Sequence, residues 1–194
     1  MVDMIADANP LDSKNPGPMR VLLAFARLID YVNERVGRAV AWLVLAAVLV
    51  SAGNALMRYA FNMSSNAWLE IQWYLFSAIF LLASGWALKR NAHVRIDVIA
   101  ARLTPRAQAW IDIVGGLLFL MPMALLILYL SWPMFVQSYV GHEVSSDAGG
   151  LVRWPVKLLI PLGFALLVLQ GASQIVKRIA FLRGIDAARS APDA

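Results

Sequence analysis

Glu70 is an acidic side chain inside a long apolar stretch, where a carboxylate is costly and often marks an ion or proton site. The stretch, Trp68 to Leu88, is 21 residues long, which is enough to cross a bilayer core as a helix. Lys157 begins a later apolar stretch at the same predicted depth. Three interpretations are open: Glu70 takes part in transport, it forms a structural ion pair with Lys157, or it lies near the interface and contacts water.

A second candidate cluster follows the same stretch, where His93, Arg95 and Asp97 alternate with Val94 and Ile96. In an extended segment the polar and the apolar set face opposite sides. The pattern favours a folded turn in which Asp97 caps the next helix or pairs with Arg95. A solvated loop would show the same spacing, so that alternative stays open.

The sequence does not offer the residues of an enzyme active site. It contains no cysteine and two histidines, His93 and His142, which the topology given below places on opposite sides of the membrane. They cannot bind a metal or haem together, as a four-helix electron carrier requires. A GxxxxGK[ST] phosphate-binding loop is also absent, so we expect neither ATP hydrolysis nor a cofactor. We therefore predict that the protein is not an enzyme.

The composition is typical of a membrane protein. Of the 194 residues, 60% are hydrophobic and 15% are charged, whereas about 25% of the residues in soluble domains are charged. The net charge of +5 comes from basic residues that flank apolar segments. It therefore predicts contact with anionic membrane lipids and not with nucleic acid.

Four apolar segments predict an all-α integral membrane protein with four transmembrane helices. Within a membrane domain of residues 19–182, we place the spans at about residues 39–57, 68–88, 111–132 and 156–176. Pro122 and Pro161 fall inside spans three and four, and Pro122 is expected to kink its helix. The loop between these spans is predicted to run from Pro133 to Trp154. We expect the whole domain to be arranged around the segment from Trp68 to Asp97.

The segments before and after the spans are polar. Residues 20–38 carry apolar residues at helical spacing with charged residues on the other faces, which predicts an amphipathic helix in the membrane interface. A solvated lead-in to the first span is the alternative. Residues 1–18 and 183–194 are predicted to be cytoplasmic tails, the first of them disordered.

The distribution of lysine and arginine predicts the orientation. Five of these residues precede span one, five lie in the second loop and four follow span four, whereas the first and third loops hold one each. The positive-inside rule then places both termini and the second loop in the cytoplasm.

Span one also offers a surface for packing against another helix. Ala47, Ser51 and Ala55 are four residues apart, so they share one face that another helix can approach closely. Arg58 ends the span on the same side. These four residues are candidates for assembly, together with the residues introduced above, Glu70, Lys157, His93, Arg95 and Asp97.

Several short motifs occur along the chain in a fixed order. They are Asn54, Arg58 and Tyr59 at the end of span one, Trp68 and Glu70 at the start of span two, His93 to Asp97, and Pro161 with Gly163 in span four. Together they resemble the DctQ-type small membrane subunit of tripartite ATP-independent periplasmic (TRAP) transporters, and the similarity covers about Arg20 to Leu182.

The resemblance implies a scaffold subunit in the bacterial inner membrane. Such a subunit pairs with a large membrane subunit, which carries the sodium and substrate sites and moves as an elevator, and a periplasmic binding protein delivers an organic acid. We expect no cofactor in this chain. From the residues alone, a rival hypothesis is a self-contained oligomeric transporter that uses Glu70 as its proton site.

Overall fold

The computed structural model describes residues 17–62, 65–90 and 103–185. These residues form six helical elements. In chain order they are α1 (Gly17–Phe61), α2 (Asn66–Lys89), α3 (Pro105–Gly115), a π-helical turn (Gly116–Leu120), α4 (Met121–Val140) and α5 (Trp154–Leu182).

Four helical stretches in the described residues are long and apolar enough to cross a membrane. They are Met19–Phe61, Asn66–Lys89, Pro105–Val140 and Trp154–Leu182. The prediction of an all-α chain with four membrane-spanning helices is therefore confirmed. We call the end that holds the connections 61–66 and 140–154 the loop end, and the end that holds Gly17 and Leu182 the termini end.

Helix α5 contacts every other helical element and has the largest buried share of the four spans. Small residues let its neighbours approach. A Cβ atom at Gly163 would lie 2.7 Å from the carbonyl oxygen of Leu81 in α2, so this crossing requires glycine. Among the described helices α5 therefore holds the central position; part of the segment Trp68 to Asp97, on which the sequence placed the emphasis, lies outside the described residues.

Helix α1 is continuous for 45 residues, without the predicted boundary near residue 38. No proline occurs between Met19 and Phe61 to remove a backbone donor, so nothing in the chain interrupts the hydrogen-bond ladder. Whether its first half lies in the membrane interface stays a prediction.

The first half of α1 exposes one apolar face to its surroundings. Val21, Phe25 and Leu28 are 70%, 53% and 57% exposed, which fits a surrounding that is itself apolar. The opposite face packs inside the chain and buries apolar and polar residues alike, since Leu23 is 8% exposed and Asn33 is 1% exposed.

Span three differs from its predicted course at two prolines. The π-helical turn ends two residues before Pro122, and it contains Leu118, whose carbonyl oxygen would clash with the proline ring in a regular α-helix. Pro133, predicted to begin a loop, lies inside α4, which continues to Val140. Pro133 cannot donate a backbone hydrogen bond, but the residues on either side of it keep theirs, so the long helix continues through the proline.

Candidate functional site

The connection from α4 to α5, residues Gly141–Arg153, is folded into a compact structure that we call the loop cap. Val144 and Val152 form an isolated antiparallel bridge, which brings the two arms of the loop together. At its tip the backbone N–H of Gly150 donates to the carbonyl oxygen of Asp147 at 2.9 Å, and Gly149 has a φ angle of +74°. That angle is in the left-handed region, which glycine adopts without strain.

Glu70 lies beneath the loop cap and is 5% exposed. Its carboxylate accepts a hydrogen bond from the hydroxyl of Ser145 and another, at 2.6 Å, from the backbone N–H of Leu151. Arg153 in turn donates to the Ser145 hydroxyl at 3.3 Å. Two donors from one loop hold this carboxylate in place, so Glu70 acts as a structural anchor between α2 and the loop cap.

Two more residues of α2 bind the same loop. Asn66 donates through its side-chain amide to the carbonyl oxygen of Ala148 at 3.1 Å, and the Tyr74 hydroxyl donates to that of Val152 at 3.0 Å. Asn66, Glu70 and Tyr74 are four residues apart and therefore form one polar face on the first two turns of α2. This face was not predicted, although the four-residue spacing of its three polar residues indicates a shared face on a helix.

Of the three interpretations of Glu70, the ion pair with Lys157 is not the one that the structure shows. Lys157 forms its salt bridge with Glu143 of the loop cap, while Glu70 binds Ser145 and Leu151. Because the loop cap supplies a bonding partner to each of the two residues, neither needs the other. The Lys157 ammonium group holds the pKa of Glu143 below its ordinary value.

Towards the termini end, α1 and α5 share a buried polar network made of Asp30, Asn33, Gln170, Ser173 and Lys177. The Asn33 amide donates to the side-chain oxygen of Gln170 at 2.9 Å, and the Gln170 amide donates to Asp30 at 2.8 Å. Asp30 also accepts from the Ser173 hydroxyl at 3.0 Å and from Lys177 at 2.9 Å. The network fixes the register of α1 against α5.

Further ion pairs tie the remaining helices together at this end. Glu34 of α1 binds Lys89 at 2.8 Å and Arg90 at 3.0 Å, both at the end of α2. Asp112 of α3 pairs with Arg178 of α5 at 2.9 Å. These pairs could not be predicted from the sequence, because helix periodicity does not say which neighbour a charged face contacts.

A cavity of about 630 Å³ opens between the loop-end halves of α1 and α2, and we call it the α1–α2 groove. It is lined by Ser51, Asn54, Ala55, Arg58, Tyr59, Asn62 and Gln72. The small residues of α1 become more exposed towards the end of the helix: Ala47 is 2% exposed, Ser51 is half-buried and Ala55 is exposed. The predicted small-residue face therefore packs inside the chain at Ala47 and is open at Ala55.

The predicted cluster His93, Arg95 and Asp97 lies outside the described residues, so the structure does not bear on it. In the part of the chain that is described, no three histidine or acidic side chains come together in a group that could hold a metal ion. The polar residues that the structure does bring together are those of the loop cap, the termini-end network and the α1–α2 groove.

Comparison with known proteins gives one match. The model of the family described as tripartite ATP-independent periplasmic transporters, DctQ component, matches residues 47–181. No curated protein and no solved structure matches the chain. The family match begins at Ala47 and so includes the open part of the α1–α2 groove, the whole of α2, the loop cap and nearly all of α5.

Proposed function

The chain belongs to the DctQ component family of tripartite ATP-independent periplasmic transporters, and from this membership we propose that it is the scaffold subunit of a transporter that imports an organic acid. Its place is the inner membrane of a bacterium. Both termini face the cytoplasm, as the distribution of basic residues predicts.

In this proposal the chemistry of transport belongs to the partners. A large membrane subunit holds the sodium ions and the substrate and moves as an elevator against the scaffold. A periplasmic binding protein delivers the organic acid to the pair. The present chain enlarges the immobile part of the complex and anchors it in the lipid.

The observation that carries the proposal, beyond the family, is how the acidic side chains in the helices are used. Glu70 accepts bonds from Ser145 and Leu151, Asp30 accepts from three side chains, and Glu34 pairs with Lys89 and Arg90. Each is bound to another element of the same chain, as structural residues are. A group that carries ions through a membrane instead needs access to both sides in turn.

The rival hypothesis gives Glu70 a role in proton transfer within a self-contained oligomer. The loop cap over Glu70 disfavours it, because a proton carrier would have to release the bonds from Ser145 and Leu151 in every cycle. Nothing in the described residues favours this second function over the scaffold.

Co-purification tests the proposal. The chain, with an affinity tag on its C-terminus, is expressed with the large membrane subunit and the binding protein from the same source, and detergent extracts are passed over the affinity resin. We expect the large subunit to be recovered at close to one copy per tagged chain. Recovery of the tagged chain alone, in a detergent in which both proteins stay folded, would contradict the scaffold role.

A further inference from the structure

The α1–α2 groove presents polar side chains at a depth where lipid is expected. Ser51 lies ten residues before the end of α1 at Phe61, which is about 15 Å along the helix axis. Asn54 lies one turn nearer that end, and Gln72 faces the groove from α2. The groove therefore reaches from the level of the membrane interface, where Arg58 lies, well into the apolar part of span one.

These side chains have no partners within the part of the chain that the structure describes. Ser51, Asn54, Arg58 and Gln72 line the cavity without a hydrogen bond or an ion pair to another described residue. In the termini-end network, by contrast, Asn33 donates to Gln170, and Gln170 donates to Asp30. An amide group left against lipid tails is costly, which indicates that another molecule covers the groove at the depth of Asn54 and Gln72.

The depth of the polar residues distinguishes between two kinds of occupant. A lipid could place its phosphate group against Arg58, but its acyl chain would then lie along Asn54 and Gln72 and leave their amides unpaired. A helix can carry polar side chains at any depth of the membrane, so it can pair with Asn54 and Gln72 as well as with Arg58. The small side chains of Ser51 and Ala55 also allow the close approach that helix pairs use in membranes.

We propose that the α1–α2 groove is the binding surface for a transmembrane helix of the large subunit. This partner helix supplies an acidic side chain to Arg58 and hydrogen-bonding groups to Asn54 and Gln72. This inference rests on the proposed function, because it presumes that the large subunit is the partner. It adds the surface on which the two subunits meet and the chemistry that the partner helix must carry.

Site-specific photo-crosslinking tests the surface. Benzoylphenylalanine replaces Ala55 in one variant and Leu56 in another; both positions are exposed and lie at nearly the same depth, but they point about 100° apart around α1. Membranes that contain the chain and the large subunit are irradiated. We expect an adduct with the large subunit from the position of Ala55 that is at least severalfold stronger than from that of Leu56.

The outcomes separate the two proposals. If the large subunit co-purifies but the probe at Ala55 reacts only with lipid or with nothing, the groove is not the subunit interface and the scaffold role stands. If the large subunit does not co-purify from any of the variants or from the unmodified chain, both proposals fail.

Substitutions in the groove give a second measurement that does not depend on a bulky probe. Arg58→Leu and Asn54→Leu should each lower co-purification of the large subunit severalfold, and Arg58→Lys should retain part of it by keeping the charge. Leu49→Ala, on the opposite face of α1, is the control. Helicity by circular dichroism should be unchanged in all four, and undiminished co-purification of the two leucine variants would overturn the inference.

Discussion

At the scale of single residues, several acidic side chains of the described residues connect one element of the chain to another. Glu70 binds the two arms of the loop cap through Ser145 and Leu151, so α2 and a loop some 75 residues later are held together. Glu143 holds the same loop to the start of α5 through Lys157. Removing one of these acids should therefore weaken a contact between two elements, and it should not impair a substrate or ion site.

The first prediction concerns Glu70→Gln, which keeps the shape of the side chain but weakens its acceptors. The loop cap should open more often, so backbone amides from Ser145 to Arg153 should exchange faster in hydrogen-exchange mass spectrometry. Asp147→Asn changes an exposed acid of the same loop and is the control, with unaltered exchange. Unaltered exchange in Glu70→Gln together with a changed proton dependence of uptake would instead support the transport role.

The second prediction concerns pH and the pair Glu143–Lys157. Because the pKa of Glu143 is lowered in the folded state by Lys157, the pair stabilises the fold fully above the ordinary glutamate pKa of about 4.3. That contribution is lost as the pH falls through the lowered value. In detergent melting, Glu143→Gln should be less stable than the unmodified chain at neutral pH, and the difference should shrink on acidification below about pH 4.

A double-mutant cycle at neutral pH distinguishes the observed pair from the one expected at first. Glu143→Gln and Lys157→Met should be non-additive, because each removes the same salt bridge. Glu70→Gln and Lys157→Met should add. The opposite pattern would mean that Lys157 belongs to Glu70.

At the scale of helices, glycine and small residues on α5 let the neighbouring helices pack closely around it. The carbonyl oxygen of Leu81 reaches the position that a Cβ atom would occupy at Gly163. Such crossings are needed in lipid, where helices associate through close packing and polar contacts and not through the hydrophobic effect.

The third prediction compares two glycines. Gly163→Ala places a methyl group 2.7 Å from the Leu81 oxygen and should destabilise the bundle by about 1–3 kcal/mol in detergent. Gly53→Ala in α1 meets nothing within 4 Å and should leave stability unchanged or raise it slightly. Equal melting temperatures for the two variants would show that α2 and α5 do not cross at Gly163.

Helix number and approximate position could be predicted from sequence, but the contacts between helices could not. Apolar length is a property of one segment, so it predicted four spans. The partner of Lys157 depends on how residues 141–153 fold, and no periodicity describes that loop. The charged residues of the segment 20–38 were predicted to lie off its apolar face, yet the contacts of Asp30 with α5 and of Glu34 with α2 are set by tertiary packing.

At the scale of the whole molecule, one end of the bundle is closed by the loop cap and the other by ion pairs between helices. Wide apolar surfaces remain exposed around the sides, among them Trp42, Trp73, Phe80, Phe119 and Tyr129. Such a surface fits a chain surrounded by lipid and by a membrane partner. The closed ends and the apolar sides together indicate a rigid bundle that is anchored in the bilayer.

The fourth prediction is the orientation of this body. Since the chain has no cysteine, single cysteines introduced at Asn91 and Ser146 can be labelled specifically by an impermeant thiol reagent. In intact cells only the Ser146 variant should react, and in inside-out vesicles only the Asn91 variant. Reaction of both from the same side would contradict the positive-inside assignment.

The central claim is that the chain is required for transport but does not itself move the substrate. Its most direct test is sodium-driven uptake of the organic acid into liposomes that contain the large subunit and receive the binding protein, with and without this chain. We expect uptake when the chain is present, little uptake in its absence, and none when the chain is reconstituted alone. Undiminished uptake without the chain, or uptake by the chain alone, would contradict it.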